Sequence, residues 1–266
     1  MNILVLFRNE FPVKPTTFHL KRWLALAVSL LAVALNVNAE TIYGVNIQLN
    51  ELVSFNSATP GTLLSAHGIS GLGGGEHICG IVWVTGTLYG LGDGNHLYTI
   101  NTNTAAATQV GSGQFNTLLN GVYFGFSSTA NSLLAVCSDL GQNMLVNPVT
   151  AATTSSPNYT GATLSTMAYS SATRTFFGVS VSTEDLYSMN PTTGAVSLIG
   201  PTGINFQDAI SLTVSPNTGA AYLSATVNGQ AEFFTVNLAT GAATLVGDVG
   251  VPGTLTSGLN SIAVVQ

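Results

Sequence analysis

From residue 41 onward the chain is written in short β-prone runs broken by turn residues every 8 to 12 positions, and no 3.6-residue period is sustained. The clearest unit is 233–247, FFTVNLATGAATLVG. Phe233-Phe234-Thr235-Val236 is β-branched and aromatic, 237–241 is turn chemistry, and Ala243-Thr244-Leu245-Val246 is β-prone again. The pattern predicts a hairpin loop of about four or five residues built on a type I turn. Asn237 is expected to bond its own backbone there, and Gly241 to take a positive φ. The same unit recurs at 186–200 and, with Ala for Gly, at 97–111; fainter copies lie at 144–154 and 52–63.

The turn asparagine therefore stands at Asn56, Asn101, Asn147, Asn190 and Asn237, at steps of 45, 46, 43 and 47 residues. A period near 45 with four strands per unit predicts an all-β propeller of five four-stranded blades. The first strands are expected at 80–84, 121–126, 166–170, 209–214 and 261–265, and the second at 42–45, 88–91, 133–137, 176–179 and 221–224. On this parse the segment after residue 40 opens on a second strand and 261–265 supplies the missing first strand. Pairing the two closes the ring without an open edge. A β-helix with two coils of about 22 residues per unit also fits the period, and a sandwich is a further rival. The hairpin turns favour antiparallel pairing, whereas a β-helix is parallel.

Several of these phrases carry a family resemblance: LYTIN with its following TAAATQVG, the LYGL around Tyr89, SFNSATPGT at 54–62 and NLATGAATLVG at 237–247. Together they resemble an exported bacterial family known only as a domain of unknown function (number forty-three ninety-four). The likeness runs from about residue 42 to 265. It implies a secreted, propeller-like repeat protein and brings neither an established activity nor catalytic residues.

The charged fraction, 6%, is far below the usual quarter. Four of the five basic residues (Arg8, Lys14, Lys21 and Arg22) lie in the first 22 positions, so Arg174 alone faces ten carboxylates from Glu40 to Asp248, a net charge of −9. Such a surface repels phosphate backbones and anionic lipid heads, which argues against nucleic acid and peripheral membrane partners. Lys21-Arg22 precedes the apolar run WLALAVSLLAVAL and the site Val37-Asn38-Ala39. That order reads as a secretory signal peptide over 1–39, cut after Ala39, with a single domain over 40–266. The apolar run is shorter than the roughly 20 residues of a membrane span. The expectation is export to the periplasm or beyond, with no membrane insertion after cleavage.

Aligning the first strands places Cys79, Asn120, Ser165, Asp208 and Asn260 in a ring at one mouth of the channel. Asp208, Asn120 and Asn260 offer the oxygens that Ca²⁺ prefers, so they are the candidate metal ligands. Short polar residues capping crowded strand starts are the competing account. Glu76 and His77, in GLGGGEHICG, pair a carboxylate with an imidazole but are expected to be solvated loop residues. His67 and His96 read as surface histidines, and Glu184-Asp185 as a solvated turn. Cys79 and Cys137 fall on strands not expected to pair, which favours free thiols over a disulfide.

No nucleophile, base and orienting group come into view together. The leading expectation is a non-enzymatic binding or scaffold protein for a protein or glycan ligand, without a cofactor. The alternative is a Ca²⁺-dependent propeller hydrolase with its site at the channel.

Overall fold

The computed structural model describes residues 39–129, 134–251, 253, 255 and 258–265. The expected leader, but for Ala39, lies outside them, as does Leu133 of the second strand expected at 133–137. The described residues carry twenty strands in five four-stranded antiparallel sheets, a five-bladed propeller. Blade 1 is β20 (Ser261–Val264), β1 (Thr41–Asn46), β2 (Glu51–Asn56) and β3 (Thr59–Gly68), from the axis outward. Blade 2 is β4 (Ile78–Val84), β5 (Thr87–Gly92), β6 (Leu97–Ile100) and β7 (Ala107–Val110). Blade 3 is β8 (Phe124–Ser128), β9 (Leu134–Ser138), β10 (Asn143–Val146) and β11 (Thr153–Ser155). Blade 4 is β12 (Thr166–Ser170), β13 (Thr175–Val179), β14 (Asp185–Met189) and β15 (Val196–Pro201). Blade 5 is β16 (Asp208–Val214), β17 (Ala221–Val227), β18 (Gln230–Val236) and β19 (Ala243–Asp248).

The turn between third and fourth strands is what repeats in the sequence. The side-chain oxygens of Asn101, Asn147, Asn190 and Asn237 each accept the N–H two residues on, at 2.8–2.9 Å. Their carbonyls accept the N–H four residues on, at 2.7–2.9 Å. That fourth residue is left-handed: φ is 70° at Gly194 and 88° at Gly241. Ala105 and Ala151 take the same place with φ of 54° and 58°, strained for a residue with a Cβ. Both methyls are buried, which offsets that cost.

Apolar side chains collect between blades, not along the axis. Five buried clusters each fill one joint between neighbours, as where Phe55 and Ile262 of blade 1 meet Tyr222 and Phe233 of blade 5. The outermost strands are largely exposed, which is why they read Thr- and Ser-rich.

Across four of the five joints a hydroxyl on one inner strand accepts an N–H from the next. Ser211 takes Ile262, Ser261 takes Ile81, Ser127 takes Tyr169 and Thr166 takes Leu212, at 2.8–2.9 Å. Between blades 2 and 3 the approach is closer, and a Cβ on Gly80 would lie 2.9 Å from the Phe126 Cβ.

β1 pairs with β20 as the repeat predicts. Glu40, just before β1, ties blade 1 to blade 5: its buried carboxylate accepts Ser215 Oγ at 2.5 Å, Tyr222 Oη at 2.7 Å and Thr218 Oγ1 at 3.2 Å. Burial first, and then this bond, push the Tyr222 phenol up to about 12.

Ser261→Ala leaves the buried Ile81 N–H without its acceptor and is expected to cost about 1–3 kcal/mol. Urea unfolding checks this as a lowered midpoint at unchanged slope.

Candidate functional site

Because every blade is antiparallel, each end of the disc holds a fixed kind of connection. One end carries the turns between second and third strands and the blade-to-blade links. The other carries the turns between first and second and between third and fourth strands. Nine of the ten carboxylates after residue 39 fall at the first end, on or beside 47–51, 69–77, 93–96, 139–142, 180–185, 208, 232 and 248. His67, His77 and His96 lie there too. Arg174 is at the opposite end, between β12 and β13, and the carboxylate there is the inward-bonded Glu40.

At the acidic mouth Cys79, Ser165 and Asn260 share a cavity of about 50 Å³ with Ile47, Phe124 and Ile210. Their polar atoms are engaged with backbone. Ser165 Oγ accepts the Val181 N–H and Asn260 Oδ1 the Ile47 N–H, both at 3.1 Å; the Cys79 thiol donates to the Leu91 carbonyl at 3.3 Å. Asp208 is exposed and takes a hydrogen bond from Tyr123, which reaches to it from blade 3. Burial first, then the charges of Asp208 and Asp139, push the Tyr123 phenol up.

Asn120 stands apart from this ring. Blade 3 begins at Phe124, not at 121, so Asn120 belongs to the preceding connection, where its N–H donates to Gln142 Oε1 at 2.6 Å. Gly121 has a φ of 143°, which is not a strand conformation. Among the described residues no group of three or more His, Cys, Asp or Glu is placed to hold a metal ion.

The Glu76-His77 pair divides. Glu76 turns inward, its side chain 6% exposed, and accepts Tyr98 Oη at 2.5 Å and the Gly94 N–H at 2.9 Å. His96 Nδ1 lies 3.1 Å from both its oxygens. His77 instead meets Asp93 at 3.3 Å. The loop expected to be solvated is therefore anchored by a buried carboxylate. Burial and the Glu76 bond push the Tyr98 phenol up to about 12.

A second axial cavity, of about 250 Å³, opens at the other end between the ends of the inner strands. Trp83 and Tyr169 stand in its wall with Ser128, Thr129, Ser171 and Thr213, and no Asp, Glu, Lys, Arg or His lines it. Trp83 also stacks on Tyr43, ring centroids 5.9 Å apart. These residues escape a reading of the sequence, because their role depends on which way the last residues of each inner strand turn. The available signal was Trp83, the one tryptophan after residue 39, at the end of a first strand.

Residues 51–260 match the family described as a domain of unknown function (DUF4394). The chain belongs to that family. No curated protein matches this DUF4394 member. Among solved structures it is similar to a protein of unknown function from Bacteroides thetaiotaomicron, with 13% identity and a TM-score of 0.55 over 78% of this chain and 57% of that one. It is similar to the nidogen/laminin complex, with 10% identity and a TM-score of 0.53 over 85% and 98%. It also resembles TolB from Acinetobacter baumannii, with 11% identity and a TM-score of 0.52 over 91% and 70%. The DUF4394 chain thus spans little more than half the length of the first of these. At such identities the likeness shows the fold alone.

Two measurements follow from the acidic mouth. Millimolar Ca²⁺, or chelator, is expected to leave the melting temperature of residues 40–266 within about 1 °C. A shift of several degrees that is lost in Asp208→Ala would instead make this mouth a calcium site. Cys79 and Cys137 are free, and burial pushes both thiols up, Cys137 to about 12. Both are expected to resist a thiol reagent in the native protein and to react together on unfolding.

Proposed function

We propose that this DUF4394 protein is an exported, non-enzymatic binding propeller whose ligand is a neutral, hydroxyl-bearing small molecule such as a mono- or disaccharide. The supporting observation is the uncharged axial cavity, with two aromatic walls and a rim of hydroxyls. A charged ligand would lose its hydration there without meeting an opposite charge. A sugar trades its water contacts for Ser and Thr hydroxyls and lays its C–H faces on Trp83 and Tyr169. The cavity at the acidic end is smaller, about 50 Å³, and shares no lining residue with this one.

The leader pattern at 1–39 supports export, and no helix of the described residues is long and apolar enough to cross a membrane. The calcium-dependent hydrolase with Asp208, Asn120 and Asn260 as ligands is the competing proposal, decided by the calcium melt.

With residues 1–39 removed, Trp83 is the sole tryptophan, so its emission reports on the cavity directly. Titration with a panel of mono- and disaccharides is expected to give a saturable change for at least one sugar, with a Kd below about 10 mM. Tyr169→Ala should weaken it by about tenfold or more; because Tyr169 also packs on Phe176, the variant is compared at a temperature well below its own melting point. No response from Trp83 and no calorimetric heat across the panel would overturn the reading.

A further inference from the structure

We infer that the acidic end of the propeller is a docking surface for a protein partner whose own contact patch has an apolar centre ringed by Lys and Arg. Two independent features converge on this end. The first is the charge separation: nine carboxylates stand there, with no Lys or Arg among the described residues of that end. The second is apolar exposure where none is needed for folding. Leu118, Val122 and Leu140 are 47%, 77% and 68% exposed, on the link before β8 and the turn after β9.

These three are held together by side chains that bind backbone. Asp139 Oδ1 accepts the Val122 N–H at 3.0 Å, and Gln142 Nε2 donates to the Leu118 carbonyl at 3.2 Å. Asn95 grips the same link from blade 2, accepting the Leu119 N–H at 2.6 Å. The patch is thus presented on a braced loop. Leu49 and Val251, 54% and 64% exposed, lie at the same end of the disc.

Carboxylates accompany it: Asp139 next to Leu140 in the chain, Asp93 in the blade 2 turn that Asn95 shares, and Asp208, bonded by Tyr123, the chain neighbour of Val122. An apolar centre within a polar, one-signed rim is how protein interfaces are built. The sign decides the occupant. A second copy brings the same negative end and repels, and so does an anionic membrane or a nucleic acid. A cationic partner is steered in from beyond contact distance, and the apolar centre then slows its release. This proposal is independent of the sugar cavity, which opens at the other end.

The probe is an amphipathic helical peptide of about 18 lysines and leucines, with the leucines on one face. A lysine–serine peptide of equal charge serves as control, and both are titrated into residues 40–266 by fluorescence anisotropy. The lysine–leucine peptide is expected to bind at least about tenfold tighter than the control, and to weaken about tenfold from 50 to 300 mM salt. The variant L118S/V122S/L140S should abolish that preference at unchanged melting temperature, since all three side chains are exposed. Val149→Ser, 79% exposed at the opposite end, should leave it intact. Asp93→Asn with Asp208→Asn should reduce binding of both peptides.

Equal affinity for the two peptides overturns the proposal, because charge alone then acts. So does binding that ignores the triple variant. Concentration-dependent dimerisation that the triple variant removes would give the surface to a second copy, and binding to phosphatidylglycerol vesicles would give it to a membrane; either outcome sinks the cationic-protein assignment.

Discussion

The innermost strand of every blade has a neighbour on one side only, so a row of its amides faces the crowded axis with no strand to receive them. A buried N–H without an acceptor costs about as much as a lost hydrogen bond several times over in a five-fold ring. Here the next blade supplies hydroxyls: Ser127, Thr166, Ser211 and Ser261 each receive an amide across a joint. These residues sit inside otherwise apolar strands, where the hydroxyl serves as an acceptor between blades. The apolar wedges at the joints hold the blades together, while the hydroxyls fix the height at which one blade meets the next. At the joint between blades 2 and 3 the same proximity is reached through Gly80, where no side chain intervenes.

That arrangement leaves the charges free to segregate. The core is built from the faces of blades, so the two ends of the disc contribute little to stability and can differ in character. One has become almost wholly acidic, with its carboxylates either exposed, as at Asp208, or turned inward to brace a loop, as at Glu76. The other has kept Arg174 and an uncharged axial pit. The net charge of −9 on residues 40–266 would oppose compaction if spread through the fold. Carried on turns and links at one end, it acts mainly across water and is screened by salt.

Much of the fold was legible because the turn asparagine is read by local chemistry. Its side chain bonds the N–H two residues on whatever the rest of the chain does, so a 45-residue step counts blades directly. Strand starts were less secure. Blade 3 was expected to begin at Gly121, because a small residue opens the other first strands. In the structure 111–123 is a long link held by Asn95, Asp139 and Gln142 from neighbouring turns, contacts that no local pattern announces. The same error carried Asn120 into the ring with Cys79, Ser165 and Asn260. Bulges at Ile78/Gly80 and Asp208/Ile210 further shift which residue points at the axis. Partners such as Glu76 and His96 could not be paired from spacing, since the loop conformation brings them together. The charge segregation, by contrast, was available from the sequence once strands were numbered: nine of the ten acidic residues after position 39 fall on or beside connections of the same parity.

The seam at β1 and β20 has a topological consequence. Residues 41 and 265 are in hydrogen-bond contact, Val265 N–H to Thr41 carbonyl at 3.0 Å, so the backbone is a circle with one nick. Glu40, just before β1, ties the nicked blade to its neighbour, blade 5. The nick is therefore transferable: joining these neighbouring ends through a short linker and reopening the chain at an asparagine turn such as 237–241 would leave every sheet, joint and both mouths as they are. The order of the blades along the gene is, in this sense, a convention of where the circle was cut.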